Sequence, residues 1–335
     1  MSFKRLDPED ITISAESVVA PLWSTDTVYL NSFHTASGQV ASNTGNYFYE
    51  VYESNPGTVS TAKVQFSIAF GHKDGKGTSL YNSSVTGKSP SSTIYGQYRN
   101  LVFGDEDTDF TFGTVTSDYV YVLSMDRARY KEKLFPGSLN LKLTNGAQTI
   151  HLTDNSNDTT TVSYVDAGRV YDIVSGSYGT SYDGGTGYTT SAGSYGKFLP
   201  DVGIIVLNGT ALDDAADGIT LATGITENSD DGNLSKFYNV IAAGASGSLQ
   251  SEETISSNYV FIRARNAELN YSTNPSNITG SGELRHDIMI NSPQSYFTTV
   301  GLYNDNNDLI AVAKMSRPLL KDFTSEALVR IKLDY

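Results

Sequence analysis

The side chains of this chain that could do chemistry are few and scattered. Its four histidines, His34, His72, His151 and His286, lie far apart in sequence, and none belongs to an i, i+4 pair or an HExxH pattern. A metal site built from them would depend on a coincidence of the fold. There is no cysteine, which excludes thiolate nucleophiles, cysteine zinc sites and disulfides.

The densest acidic cluster is formed by Asp105, Glu106, Asp107 and Asp109. Calcium prefers such oxygen ligands, but the pattern lacks the glycine and the terminal glutamate of an EF-hand loop. We favour a solvated turn at the end of a helix. No GxSxG elbow occurs, and no spacing singles out a carboxylate pair for glycoside hydrolysis. The sequence therefore predicts no enzyme, no metal site and no cofactor.

A tract over residues 175–197 has a different character, because it is almost entirely Gly, Ser, Thr, Tyr and Asp. Such a composition cannot bury enough apolar surface to form its own core, so it predicts a long loop. Tyrosine offers a large contact area at a low entropy cost, as in antibody paratopes. Its candidate contact residues are Tyr178, Tyr182, Tyr188 and Tyr195. The tract could recognise a glycan, lie over a neighbouring subunit or be a plain flexible loop.

The last forty residues contain a second set of candidates for partner contact. Two apolar runs flank residues 304–307 and predict a hairpin, which a break at Pro318 separates from a terminal strand over 327–335. Exposed strands invite pairing by another chain, although 327–333 could equally be a central strand of its own sheet. The candidates are Leu302, Tyr303, Leu309, Val329, Ile331, Leu333 and Tyr335.

Charge and hydropathy narrow the classes of partner. The 335 residues carry a net charge of −14, which argues against nucleic acid and anionic membrane as main partners. No run approaches the length of a transmembrane helix, and the first ten residues lack an apolar signal core. We therefore expect synthesis in a cytoplasm without secretion, which suits any cytoplasmic protein and also a virion component released by lysis.

Short strands with frequent turns dominate the elements that must position these residues. Alternation over 64–70 and an Asn145-Gly146 turn predict strands and a hairpin, and residues 91–103 predict a helix. The expected fold is mainly β (β-dominated α+β), with antiparallel sandwich-like sheets, long Gly/Ser/Tyr-rich loops and a few short helices. The predicted division is a β-rich domain over 1–174, the loop 175–197, and a β-rich domain over 198–335.

Five segments carry a resemblance to known proteins: MSFKRLDPEDITISAESVVAPLW, SPSSTIYGQYRNLVFGDEDTDFTFG, RARYKEKLFPGSLNLKL, NYVFIRARNAELNYSTNPS and TTVGLYNDNNDLIAVAKMSRPLLKDF. The first four resemble structural proteins of T-even-like marine myoviruses, including cyanophages. The last resembles a segment recurrent in virion proteins of contractile-tailed bacteriophages, especially baseplate, collar and fibre-attachment components. The similarity runs along most of the chain and is specific to that virus group, but not to one position in the particle. It implies a virion structural protein of the tail and baseplate region and carries no catalytic residues.

The leading functional hypothesis is a structural subunit of a contractile bacteriophage virion, in the tail baseplate or the fibre attachment. Its expected partners are other virion proteins, with multiple copies per particle. One alternative is a receptor-binding fibre or a neck or capsid decoration protein. A glycan-degrading virion enzyme is the least favoured reading.

Overall fold

The computed structural model describes residues 4–36, 47–182, 193–221, 224–229, 231–243 and 246–334. Strands account for 42% of the residues and helices for 12%. Neighbouring strands run antiparallel throughout the large sheet and in the hairpins. The predicted mainly β, β-dominated α+β class is confirmed.

The four helices of the described residues are α1 (Pro90–Phe103), α2 (Gly209–Asp213), α3 (Gly232–Ala242) and α4 (Ile288–Asn291), and a 3₁₀ turn spans Pro8–Asp10. The strands are β1 (Ile11–Pro21), β2 (Tyr29–Leu30), β3 (Phe48–Tyr52), β4 (Val64–His72), β5 (Thr111–Phe112), β6 (Val115–Thr116), β7 (Tyr119–Met125), β8 (Lys133–Leu134), β9 (Asn140–Asn145), β10 (Gln148–Asp154), β11 (Ser163–Val165), β12 (Gly168–Ser177), β13 (Thr180–Ser181), β14 (Gly196–Leu199), β15 (Ile204–Asn208), β16 (Ser246–Ser248), β17 (Gln250–Ala264), β18 (Ser295–Tyr303), β19 (Leu309–Lys321) and β20 (Ala327–Asp334).

The chain divides into two compact units. One comprises residues 1–17 and 254–335, here called the terminal unit, and the other comprises residues 18–253, here called the central unit. The sequence predicted a boundary at 175–197, but that tract lies inside the central unit. Its ends belong to the large sheet, since β12 runs through residue 177 and β14 begins at residue 196.

The central unit is built on a sheet in the order β2-β16-β9-β10-β12-β14-β15-β7-β4-β3, with β11 and β13 paired to β12. Strand β7 is buried on both faces, as its nearly continuous apolar sequence requires. Val120 and Val122 pack into one apolar cluster, whereas Tyr121 and Leu123 pack into the other. The core therefore lies on both sides of this sheet.

Helix α1 covers one of those faces and confirms the helix predicted over 91–103. It begins after Ser89, whose backbone N–H donates to Ser92 Oγ at 3.1 Å, and it ends at Gly104 in the left-handed region, with φ 68°. Tyr95 points from the helix into the core, where its hydroxyl donates to the Ser117 carbonyl at 2.9 Å. Burial raises the pKa of Tyr95 to about 12.

Two turn predictions had different outcomes. The predicted hairpin is confirmed, but its two loop residues are Gly146 and Ala147, because Asn145 still belongs to β9 and pairs opposite Gln148. The break predicted at Pro318 is wrong, because β19 continues through it to Lys321. A register shift between the Phe297–Leu319 and Thr299–Lys314 pairs leaves residues 315–318 without direct partners. Pro318 lacks a backbone N–H and is tolerated at such a bulge.

His72 is buried at the end of β4 in the central unit. Its Nδ1 accepts a hydrogen bond from the Asp74 backbone N–H at 3.0 Å, and its ring stacks on Tyr119 with centroids 6.3 Å apart. Burial lowers the pKa of this imidazole below its ordinary value of 6.5. The folded chain therefore holds His72 neutral at a pH where the unfolded chain begins to protonate it.

This arrangement predicts that stability depends on His72 below neutral pH. The stabilisation is present above pH 6.5 and is lost as the pH falls through the lower pKa of the folded state. When the pH is lowered from about 7.5 to about 5, we expect the unfolding free energy of the His72→Gln variant to fall less than that of the wild type. The single tryptophan, Trp23, lies in the core of this unit, so its fluorescence reports the unfolding. The matched control substitution is His286→Gln, because His286 is exposed whereas His72 is buried.

The terminal unit contains a sheet in which β17 pairs with β20 over Ser257–Ala264 and Ala327–Asp334. Val260 and Ile331 lie directly opposite each other and are both buried. Strand β1 pairs with the other edge of β17, and Lys4 reaches Glu268 at 3.1 Å. The first and last parts of the chain therefore fold together in this unit.

Candidate interaction surface

A long hairpin extends from the terminal unit. It consists of β18, the loop 304–308 and β19, and residues 295–321 are here called the arm. Leu302 pairs with Ala311 and Val300 with Ala313, which fixes the register. Asn304 closes the loop, since its side-chain oxygen accepts from the Asp308 backbone N–H at 2.8 Å and Asn307 adopts the left-handed conformation.

The arm exposes several large apolar side chains. Ile310 is 66% exposed, and Val312 is 57% exposed. Further large apolar side chains of the arm are also exposed: Tyr296, Tyr303, Leu309, Leu319 and Leu320. A two-stranded hairpin is marginally stable by itself, and contiguous exposed apolar surface marks an interaction site. The arm is therefore a candidate interaction surface.

The sequence of β19 supports this interpretation. The run over residues 309–313 is Leu-Ile-Ala-Val-Ala, with no polar residue on either face of the strand. A continuous apolar run is typical of a strand that is buried on both faces. In the arm, Leu309, Ile310 and Val312 are exposed, and the two alanines are half-buried. The chain by itself does not bury this strand.

Lys321 holds the base of the arm in place. Its side chain is fully buried, and its Nζ donates to the Asn266 carbonyl at 3.0 Å, to Asn270 Oδ1 at 2.6 Å and to the Asp322 carbonyl at 2.7 Å. Three acceptors satisfy all three donors of the ammonium group. The arm is thus attached to residues 266–270 through a buried polar cluster.

A groove of about 380 Å³ lies between the arm and β20. It is lined by residues 311–315 of β19, residues 329–333 of β20, and Val300 and Leu302 of β18. Within the described residues, β19 pairs only with β18, and β20 pairs only with β17. Each of the two strands therefore has one edge whose backbone groups are not used in a ladder.

The structure brings together most of the C-terminal candidates from the sequence. Leu302 lines the groove together with Val329, Ile331 and Leu333, whereas Tyr303 and Leu309 pair with each other beside the arm's loop. Ile331 is buried against β17 within the unit, so its side chain contributes to the fold. Tyr335 lies outside the described residues. Sequence reasoning missed Ile310 and Val312, although the continuous apolar run was the signal for them.

The tyrosines of the 175–197 tract have different environments in the central unit. Tyr178 and Tyr182 are exposed, and the Tyr178 hydroxyl lies 2.8 Å from that of Tyr29. Tyr195 is only 2% exposed, because it belongs to the core and donates to the Asp217 carbonyl at 2.6 Å. Its side chain is therefore not available to a partner. Tyr188 lies outside the described residues.

The described part of the chain shows few features of a metal site or of a membrane-spanning segment. No group of three or more His, Asp or Glu side chains there could hold a metal ion. The cluster at 105–109 forms a local turn, in which Asp105 accepts from the Asp107 backbone N–H at 2.9 Å. Among the same residues, no helix has the length and apolar character needed to cross a membrane.

No protein-family model, no curated protein and no solved structure matches this chain. The function must therefore be argued from the residues and their arrangement, and the arm with its adjoining groove is the feature that bears most directly on it.

Proposed function

We propose that this protein is a structural subunit of a contractile bacteriophage virion, in the tail baseplate or the fibre attachment, and that it acts through protein–protein assembly rather than catalysis. The virion context rests on the resemblance of its segments to structural proteins of T-even-like myoviruses. The assembly role rests on the arm.

The exposed arm is the single observation that carries the proposal. Leu309, Ile310 and Val312 are exposed on a hairpin that is attached at its base by Lys321. Burying such side chains against another subunit is favourable, at about 25 cal/mol per Å² of apolar area. Extended apolar strands with free edges are also a recurrent means of joining chains, because backbone pairing adds to side-chain burial. An assembly subunit uses both properties.

The register of the arm defines a test. Thr299 pairs with Lys314, so residues 300–313 can be removed and replaced by an Asn-Gly turn, which suits a two-residue hairpin loop. We expect the shortened chain to fold, because Lys321 and β20 are retained. We also expect it to be absent from purified particles, as measured by mass spectrometry of particles from cells that produce it in place of the wild type.

Cryo-electron microscopy of wild-type particles provides the matched measurement. Density for the chain in the tail baseplate region, with the arm against a neighbouring subunit, is the expected result. Absence of the wild-type chain from the particle would overturn the proposed function. Normal incorporation of the shortened chain would overturn the role assigned to the arm.

A further inference from the structure

We infer that the groove between β19 and β20 receives one extended segment of another protein, in which apolar residues alternate with Asp or Glu. The inserted segment would become a strand between β19 and β20. This inference deepens the proposed function, on which it rests, by naming the chemistry of the partner segment.

The lining of the groove shows that edges of strands face it. Alternate residues of a strand point to opposite faces, so a groove over one face is lined by every second residue. Here β18 contributes only the alternate residues Val300 and Leu302, whereas β19 and β20 contribute consecutive residues, 311–315 and 329–333. Both strands therefore present backbone N–H and C=O groups to the groove, over a length of about 16 Å for five residues.

The charged residues that line the groove favour a partner segment with negative charge. Lys314, Arg330 and Lys332 line it, and no Asp or Glu does, although the chain has 37 acidic residues against 23 basic ones. Lys332 already lies 3.3 Å from Glu16 and 3.2 Å from Asp334. Lys314 is exposed, and Arg330 lies over the Tyr259 ring at 5.5 Å. These two cations are placed to meet carboxylates of an incoming strand.

The apolar residues that line the groove favour apolar side chains at every second position of the partner segment. Val300, Leu302, Val329 and Leu333 are partly exposed where they line the groove. A strand that pairs with both edges places every second side chain against them and the intervening ones toward Lys314 and Arg330. The alternation of apolar and acidic residues follows from this geometry.

A segment of another protein suits the groove better than a second copy of this chain. Every strand of the described residues is already paired along at least one edge. The groove has edges on two sides, so a strand from a second copy would first have to leave its own sheet. An extended segment that has no sheet of its own carries no such cost.

Hydrogen exchange of the full chain, with capped peptides of about seven residues as probes, tests this inference. One probe alternates Val with Glu, and its control alternates Val with Lys. We expect the Val-Glu peptide to slow amide exchange over 311–315 and 329–333 and the Val-Lys peptide to leave it unchanged, because only the former matches the charge of the groove.

Charge reversal provides the matched variants. Lys314→Glu with Arg330→Glu reverses two cations of the groove, whereas Lys88→Glu with Arg317→Glu makes the same change of net charge at exposed positions outside it. The groove variant should bind the Val-Glu peptide about tenfold more weakly and prefer the Val-Lys peptide, and the control should behave as the wild type. Circular dichroism verifies that both variants are folded.

Three outcomes contradict the inference: no slowing by the Val-Glu peptide, equal slowing by both peptides, or protection of the groove amides that rises with protein concentration alone. The last result would identify a second copy as the occupant. The failure of the proposed function is a separate observation. A particle that contains this chain with an empty groove contradicts only the inference, whereas absence of the chain from the particle contradicts the proposed function.

Discussion

Replacing Leu309, Ile310 and Val312 together by threonine is expected to prevent incorporation of the chain into particles while leaving it folded. The three side chains are exposed in the free chain, so their loss removes little from its own packing. Threonine keeps the β-branched shape that strands favour. The lost apolar burial at an interface amounts to about 3 kcal/mol, or roughly a 100-fold weaker association. The ratio of variant to wild type in particles from a mixed production measures this effect.

A control for that experiment lies in the central unit. Val59, Leu80 and Val85 are exposed to a similar degree but belong to no extended apolar strand. Their replacement by threonine should leave incorporation unchanged. If the two triple variants enter particles equally well, the arm has no special role in assembly.

Lys321→Met is expected to loosen the base of the arm. The substitution keeps the length of the side chain but leaves the carbonyls of Asn266 and Asp322 and the Asn270 side chain without their buried donor. The Asn266 carbonyl still accepts from Asn270 Nδ2 at 2.7 Å. The two acceptors left without a donor cost about 1 kcal/mol each, so the local opening free energy should fall by about 2 kcal/mol. Hydrogen exchange over residues 266–270 and 319–322 measures that quantity.

The matched control uses another lysine of the same strand. Lys314 is exposed, and Lys314→Met makes the same chemical change without burying an unpaired group. Hydrogen exchange of the Lys314→Met variant at the base of the arm should equal that of the wild type. If Lys321→Met also exchanges like the wild type, the buried polar cluster does not hold the arm.

Local signals in the sequence predicted the elements well. Alternation at residues 64–70 became β4, and the hairpin predicted at Asn145-Gly146 joins β9 to β10, with its loop one residue later than expected. The helix predicted over 91–103 became α1, which begins at Pro90 and ends at Phe103. Each of these signals depends on a few neighbouring residues, which is why it can be recognised without the fold.

The division into units depends on contacts between distant residues and could not be predicted in this way. Residues 1–17 join 254–335 because β1 pairs with β17, and no local pattern encodes that pairing. Tyr195 shows the same limit, since a tract rich in Gly and Ser indicated exposure but this tyrosine, directly before β14, packs into the core. The groove was equally beyond prediction, because it depends on β19 and β20 remaining unpaired along adjacent edges.

Because the terminal unit combines residues 1–17 with residues 254–335, its two parts are synthesised at different times. A ribosome completes the central unit's sequence first, and domains generally fold as they emerge. Residues 1–17 must then wait for β17, and the arm and β20 are synthesised after the central unit. A chain that stops before residue 295 lacks the whole arm and so lacks the surface proposed for assembly. If the arm joins the chain to the particle as proposed, incomplete chains would be left out, and assembly would act as a check on synthesis.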